Sequence, residues 1–313
     1  MRCAGHGDGS RQIVKIMIRL QSIDSCPLCQ SPQISLFIKG TVAPEKISAA
    51  DFKITDSHYG LRWTFFSCRR CSFVFANPCP IQETIAEFYA NLADEEYSQE
   101  NEGRGRNFST ILQRLLPHAL PGSLLLDVGA ASGIFLNLAR EAGYRVEGIE
   151  PSVALVADAE RLYGLKLFCG TVEQFSANEK FAVITLLDVL EHVTDPGTFL
   201  KVLSDFLAPG GMLVIVTPDI GSLAARIMGG RWWHYRVAHL NFFNNRSLVW
   251  LMEKHGFEIV LRKRFAWNFS AYYLLTRLLP FLKGKALQTR LKKLHLKLQL
   301  HDSWEIYAKK KER

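Results

Sequence analysis

The sequence predicts a doubly wound α/β domain with a small cysteine-closed module in front of it. Three observations carry that expectation. Residues 124–133, Leu-Leu-Leu-Asp-Val-Gly-Ala-Ala-Ser-Gly, form an apolar run that ends in a turn of small residues, and Ile134, Phe135, Leu138 and Ala139 then recur at helical spacing. Residues 144–149 read as a second strand closed by Glu150. Four of the seven cysteines come as two CxxC pairs, Cys26/Cys29 and Cys68/Cys71. A chain of 313 residues has room for one large or two unequal domains. Its composition, 48% hydrophobic and 22% charged, suits a packed core and excludes a mainly disordered chain. No internal repeat of roughly 20–50 residues is visible, which removes solenoids and propellers.

In chain order, residues 13–20 are apolar but hold Lys15 and Arg19 and have no small-residue cleavage site behind them, so a signal peptide is not expected. The default is a soluble, cytoplasmic protein. The cysteine pairs follow, separated by 38 residues, more than the roughly 15–20 of the commonest zinc pattern. That spacer has room for strands at 33–38 and 61–66. One CxxC turn brings two thiolates to one face, and two such turns complete a tetrahedral sulfur site for zinc. With no coordination position left open, Cys26, Cys29, Cys68 and Cys71 would make the site structural, holding together a module with too little core of its own. Four merely buried cysteines or a redox pair are the alternatives, although no βαβ pattern surrounds either pair. The odd total, with Cys3, Cys79 and Cys169 outside the pairs, favours metal ligation in a reducing compartment over a disulfide framework.

Apolar residues at 81, 85, 88 and 89 predict a helix over 81–89. Residues 91–107 are polar with glycines at 103 and 105, and read as a mobile connection or lid. Another helix begins at 108 and stops before Pro117 and Pro121. In the core, Gly129 permits the tight turn, and small residues let a ligand approach the backbone at the helix start. Glu150, 23 residues past Asp127, stands where a carboxylate can accept both hydroxyls of a ribose. A dinucleotide fingerprint started at Gly129 would need glycines at 131 and 134. Ala131 and Ile134 stand there instead, which disfavours a pyrophosphate cradle. What remains is Asp127-x-Gly129-x-x-x-Gly133.

At this point the chain resembles the class I S-adenosylmethionine-dependent methyltransferases, whose first motif is an acid followed by a G-x-G-x-G turn. Ala131 departs at the middle glycine, at the expense of a methyl group of clearance. The resemblance runs in order over residues 120–262. Glu150-Pro151-Ser152 looks like the ribose-binding acid and its turn. Residues 165–168 with Cys169-Gly170-Thr171-Val172 resemble the third strand and the turn that frames adenine; Thr171 replaces a frequent acid and leaves recognition to backbone near Thr171 and Val172. Residues 181–187 with Asp188-Val189-Leu190-Glu191-His192 resemble the fourth strand and its motif, 207–218 the turn into the fifth, 258–261 the sixth and 303–309 the seventh. The resemblance implies a Rossmann-like, mostly parallel seven-stranded sheet whose last strand is antiparallel. It implies S-adenosylmethionine held by Asp127, Gly129, Ala131, Gly133, Glu150, Pro151, Thr171, Val172 and Asp188. Gly129 and Gly133 could instead serve strand–helix packing, Asp127 could orient the turn, and Asp188 could cap the next helix. Glu191 and His192 read more readily as structural than as catalytic. With its cysteine-rich extension, the chain further resembles zinc-bearing sugar methyltransferases and related polysaccharide-cluster enzymes.

Methyl transfer from a sulfonium is an in-line displacement that alignment can largely catalyse, assisted by a base where the acceptor has a proton to lose. The candidate acceptor segment is Trp232-Trp233-His234-Tyr235 followed by His239, past the flexible Gly229-Gly230. Aromatic faces suit a sugar ring or an apolar acceptor. By resemblance His239 fits a general base, with Tyr235 a second candidate. The pair that accompanies carbon methylation is incomplete because Ala238 precedes the histidine, and a hydrogen-bonded structural histidine is the alternative. Residues 254–313 hold fifteen Lys or Arg against four acids, so the net charge of +8 belongs to the C-terminal end. Leucines at 287, 291, 294 and 298 share one helical face beside that charge, and Trp267, Tyr272 and Tyr273 add interface residues. Peripheral membrane contact through 265–301 and plain packing on the core are both open. Residues 265–282 are too interrupted to span a bilayer, and no recognition module accompanies the charge, so nucleic acid is not an expected partner.

The expected divisions are a flexible N-terminus (1–20), a zinc-ribbon-like module (21–80), linker or lid helices (81–120), the cofactor-binding core (121–262), a basic amphipathic helical insert (263–301) and a final strand and tail (302–313). By analogy the acceptor is a sugar or lipid-linked saccharide. A quinone-like or lipid acceptor, and a non-catalytic module that keeps the nucleotide fold for binding, are the rival readings.

Overall fold

Hydrogen-bonded turns at the two cysteine pairs launch the first sheet. The computed structural model describes residues 17–53, 60–94, 101–278, 290–291 and 293–312. In it β1 (Leu20–Gln21) precedes the first pair and β2 (Ile34–Ile38) follows it, while β3 (Phe65–Cys68) and β4 (Val74–Ala76) flank the second. β3 pairs antiparallel with both β2 and β4, and β5 (Cys79–Pro80) returns to β1. The strand expected at 61–66 starts later, at Phe65, because Phe65, Phe66 and Ser67 are the residues that find partners in β4. α1 (Gln82–Ala90) follows and buries Thr84, Ile85 and Phe88.

The stretch expected as a mobile lid is helical in its second part. α2 (Asn101–Leu115) begins at Asn101 rather than at 108, despite two glycines. Long-range contact overrides the weak local propensity. Asn107 is buried, and its carbonyl oxygen accepts both the main-chain N–H and the side-chain amide of Asn268, at 2.7 and 2.8 Å. Residues 95–100 and the N-terminal residues 1–16 lie outside the described residues.

The core alternates strand and helix: β6 (Leu124–Val128), α3 (Ile134–Glu141), β7 (Arg145–Glu150), α4 (Val153–Tyr163), β8 (Phe168–Cys169), β9 (Phe181–Leu187), α5 (Pro196–Phe206), β10 (Leu207–Pro218), α6 (Leu223–Met228), β11 (Asn241–Phe242), α7 (Asn245–Lys254) and β12 (Phe257–Arg264). Then come β13 (Trp267–Ser270), α8 (Ala271–Leu278), β14 (His295–Leu298) and β15 (Ser303–Lys310). β6 is buried along its whole length and β9 nearly so, as strands covered on both faces must be. The central sheet runs β12-β15-β10-β9-β6-β7-β8. The β8, β7, β6, β9 and β10 strands are parallel, and β15 lies antiparallel between β10 and β12. This is the seven-stranded mixed sheet expected. Strand order reverses between β6 and β9, so the crevice beyond their C-terminal ends is where ligands collect in such sheets. The third strand shrinks to Phe168–Cys169 because Leu165 is used otherwise: its N–H bonds the Ala159 carbonyl at the end of α4 and its side chain is buried.

Two departures shape the site. Residues 241–242, between the fifth and sixth core strands, form β11 and pair antiparallel with β4, giving the N-terminal sheet the order β11-β4-β3-β2. The insert is not one basic helix. Trp267–Ser270 pairs with His295–Leu298 as two antiparallel strands, so Leu298 sits opposite Trp267 and Leu294 falls outside any helix. Leu287 lies outside the described residues. Backbone pairing overrides the spacing of the leucines.

Phe242 packs the segment after β10 against the N-terminal sheet. It is fully buried and touches the rings of Phe65, Trp232 and Tyr235 at centroid distances of 5.1, 5.5 and 5.2 Å. Removing a ring from such a site leaves a cavity as well as losing apolar burial. Phe242→Ala is expected to lower stability by about 3–5 kcal/mol, read as an earlier urea midpoint with an unchanged slope.

Candidate active site

The turn after β6 is built by backbone conformation. Gly129 (φ 76°) and Ala131 (φ 48°) take left-handed backbone. A Cβ on Gly129 would also stand 2.6 Å from Cγ2 of Val189. Gly133 (φ 79°) faces the other way, where a Cβ would meet Leu165 at 2.9 Å and Ala159 at 3.2 Å. It is the packing glycine that lets α3 approach α4. Asp127 accepts a 2.5 Å hydrogen bond from the Thr185 hydroxyl. Burial pushes its carboxyl up to about 7, with the Thr185 bond pulling the other way and the charge of Glu150 adding to the rise. It orients the strand end and does not line the cavity.

Glu150 ties the turn to the end of β7. Its Oε2 accepts the Ala131 N–H at 2.9 Å and its Oε1 accepts the Ser152 N–H at 2.8 Å. Burial pushes the acid up to about 7, against the pull of those two N–H groups. Each oxygen keeps lone pairs for further donors.

A cavity of about 640 Å³ opens over these elements. Gly129, Ala131, Glu150, Pro151, Thr171, Val172 and Asp188 line it. Asp188 does not cap the next helix; Asp195 does, accepting from the N–H groups of Gly197 and Thr198. Instead Asp188 sits at φ 56° just past β9, its acid raised to about 7 by burial while Arg104 and Arg236 oppose the rise.

The far wall carries a row of imidazoles that the sequence reading had only partly assembled. His192 places Nδ1 2.8 Å from the Tyr89 hydroxyl and 2.9 Å from the Ala238 carbonyl. Its Nε2 lies 4.0 Å from Oε1 of Glu191. Glu191 accepts from the Thr217 hydroxyl through Oε2 at 2.9 Å, while Oε1 is buried without a hydrogen-bond partner among the described residues. His239 stands edge-on to His192 at 4.7 Å and stacked with His234 at 6.0 Å between ring centroids. His234 Nε2 in turn lies 3.3 Å from Oδ2 of the buried Asp302. Burial, chiefly, pulls His192 down to about 4 and His239 well below the ordinary histidine range; the neighbouring charges of His192 and His234 add to the fall at His239. Burial also raises Glu191 well above the usual carboxylate range, with the charge of Asp188 adding to it.

His239 is therefore in the cavity, but as a neutral ring with weak affinity for a proton. Tyr235 is not at the cavity. It is buried against Trp232 and Phe65, beneath the Arg62 guanidinium at 5.5 Å, and burial pushes its phenol up to about 12. Trp232 is likewise buried outside the cavity, which leaves Trp233, His234 and His239 of that segment to line it. Sequence reasoning missed Tyr89 and Asp302. The signal for Asp302 was its place just before the antiparallel last strand, beside the C-terminal end of β10.

The remaining wall is apolar. Phe108, Trp267, Phe269, Tyr273 and Leu298 line it, with Phe269 stacked on Tyr273 at 5.2 Å. Phe52 reaches it from the N-terminal segment, stacked on Phe88 at 4.5 Å. Trp267 and Tyr273, for which membrane contact and core packing were both open, thus face the cavity.

The four paired cysteines meet away from this cavity. Cys26 Sγ lies 3.5 Å from Cys71 Sγ, Cys29 Sγ lies 3.5 Å from Cys68 Sγ, and all four sulfurs are within 4.8 Å of one another. Thiolates held at about 2.3 Å around one tetrahedral zinc would sit about 3.8 Å apart. The two turns match: Gln30 N–H donates to the Cys26 carbonyl and Ser72 N–H to the Cys68 carbonyl, both at 2.9 Å. Gln30 (φ 58°) and Ser72 (φ 62°) occupy the same left-handed position.

A methyltransferase-domain family matches residues 100–262, just over half of the chain. The ubiquinone biosynthesis O-methyltransferase of Bradyrhizobium sp. (strain ORS 278) is 32% identical over 133 residues, covering 39% of this chain and 52% of that protein. That of Rhodopseudomonas palustris (strain HaA2) is 31% identical over 158 residues, covering 46% and 61%. The chain thus spans about half the length of the curated relatives it matches. Among solved structures, magnesium protoporphyrin IX methyltransferase from Synechocystis with bound SAH is 15% identical, with a TM-score of 0.47 over 72% of this chain and 93% of that one. A putative methyltransferase from Bacillus halodurans is 16% identical, with a TM-score of 0.47 over 66% and 99%. Among the described residues, no helix is long and apolar enough to cross a membrane.

The ionised form of Glu150 is the one able to accept two more hydroxyl donors. Affinity for S-adenosylmethionine, measured by calorimetry, is therefore expected to be full above about pH 7 and to fall as the pH drops through it. Glu150→Gln is expected to loosen binding roughly 10–100-fold at pH 8, the worth of about 1.5–3 kcal/mol of charge-assisted hydrogen bonding, and to flatten the pH dependence.

Proposed function

We propose that this chain, which belongs to the methyltransferase-domain family, transfers a methyl group from S-adenosylmethionine to a hydroxyl of a small, partly apolar acceptor of the quinone type. One observation carries the reading: a single cavity joins the Gly129 turn and Glu150 to a buried imidazole–carboxylate row, under an aromatic wall. The residues fit the donor. Small residues and left-handed backbone leave room over the turn, and Glu150 offers acceptor lone pairs at the ribose position. Backbone near Thr171 and Val172, with Leu155 and Phe199 beside them, offers an apolar slot for adenine. Bound there, S-adenosylmethionine supplies an electrophilic methyl carbon on a sulfonium.

The protein supplies alignment, a dry site and a place for the proton. Apolar side chains from α2, β13, α8 and β14 exclude water from the acceptor, which strengthens every electrostatic interaction inside. Histidines supply nitrogen lone pairs for a departing proton, and Asp302, held below the ordinary carboxylate range, offsets the positive charge that results. The aromatic wall and the names of the curated relatives, ubiquinone biosynthesis O-methyltransferases, support a quinone-type acceptor over the sugar that the cysteine-rich extension suggested. The four thiolates would hold a structural zinc, supported by their spacing and by the matched turns.

Release of S-adenosylhomocysteine tests the reading, measured with alkyl-substituted dihydroxybenzenes, lipid-linked sugars and nucleotide sugars. Turnover with the first class alone is expected. Turnover only with a sugar would move the acceptor back to that class, and binding of S-adenosylmethionine without turnover on any of them would leave a binding module. Metal analysis of the purified protein is expected to return one zinc per chain, whereas four freely titratable thiols and no metal would remove the zinc.

A further inference from the structure

We infer that His234, paired with Asp302, is the base that takes the proton from the acceptor hydroxyl, an assignment that rests on the methyl-transfer reading above. Three imidazoles border the cavity, and their surroundings differ. His192 has Nδ1 engaged by Tyr89 and Ala238. His239 is wedged between two other imidazoles, each of which repels a proton placed on it. His234 alone of the three has a carboxylate within 3.5 Å of a ring nitrogen among the described residues, Asp302 Oδ2 at 3.3 Å from Nε2.

The fold holds that carboxylate in place. Asp302 directly precedes β15, and its main-chain carbonyl accepts the Asp219 N–H at 2.8 Å just beyond β10. That position is the C-terminal edge of the parallel strands, on the cavity side. Burial pushes Asp302 up, but the neighbouring His234, together with the indoles of Trp232 and Trp233, holds the acid below the ordinary range. The pair stands at ion-pair distance without the alignment of a hydrogen bond. His234 is the less buried partner, with 15% of its side chain exposed against 1% for Asp302. Besides Asp302, His239 lies behind His234, and His192, Glu191, Asp188, Arg104, Arg231 and Arg236 line the same cavity.

The step balances as follows. The acceptor oxygen forms a bond to the methyl carbon while its O–H proton passes to Nδ1 of His234. The carbon–sulfur bond breaks and its electron pair stays on sulfur, turning the sulfonium into a thioether. Asp302 is a positioning residue: it turns the ring so that Nδ1 faces the acceptor and offsets the charge of the imidazolium.

The test uses the full chain, saturating S-adenosylmethionine and an alkyl-substituted dihydroxybenzene, with S-adenosylhomocysteine release followed between pH 5 and 9. His234→Ala is expected to lower kcat by at least about 100-fold with affinity for S-adenosylmethionine unchanged, which also shows that the variant is folded. In Asp302→Asn the imidazolium loses its anion, so the acidic limb of the pH–kcat profile moves to lower pH by about one unit while the plateau falls. A kcat within threefold of wild type in His234→Ala, or an acidic limb that stays put in Asp302→Asn, would overturn the assignment. If the wild type turns over and these variants match it, the assignment alone fails. If the wild type turns over no acceptor in the panel, the methyl-transfer reading fails and takes the assignment with it.

Discussion

Two residues of backbone pairing decide where the chemistry of this protein sits. Asn241 and Phe242 pair with Phe75 and Val74, which anchors the long excursion after β10 to the N-terminal sheet. Further bonds hold the same excursion: Trp63 Nε1 donates to the Val237 carbonyl at 2.7 Å, and Arg62 donates to the Gly230 carbonyl at 3.0 Å. The segment from 229 to 243 therefore lies as a strap between module and core. Its side chains alternate in fate: Trp232 and Tyr235 go into the joint, and Trp233, His234 and His239 face the cavity. A cysteine-rich module that looks like an appendage in the sequence thus supports one wall of the site.

Burial does most of the electrostatic work in that site. Asp127, Glu150 and Asp188 are all pushed up to about 7, and His192 down to about 4, with desolvation the leading cause in each case. Removing water disfavours the charged form of every group, acid or base. Specific partners oppose that effect: backbone N–H groups pull against it at Glu150, and His234 with the indoles of Trp232 and Trp233 holds Asp302 below the ordinary range.

The α/β core was legible because its signals are local. A buried strand of five residues, four of them apolar, a turn that needs Gly129 and an acid at the end of the next strand each fall within a short window, and all three appear where expected. The cysteine turns were legible for the same reason, since a CxxC spacing brings two sulfurs together before any tertiary contact forms. Where local signals misled, a distant partner had overruled them. Asn268 draws the glycine-bearing start of α2 into a helix, and strand pairing with Trp267 takes Leu298 out of a helical face.

The sequence by itself determined the strand order's raw material, the glycine turn after β6 and the paired sulfurs, because periodicity, glycine conformation and short spacings are properties of neighbouring residues. Tertiary structure alone decided which imidazoles share a wall. His192 follows β9, His234 and His239 share the strap after β10, and Asp302 joins them from just before the last strand. No spacing rule connects Asp302 to His234. Their 3.3 Å approach comes from an antiparallel strand laid beside β10 and a strap pinned to another sheet, and both are long-range hydrogen-bonding choices that exist only once the chain has folded.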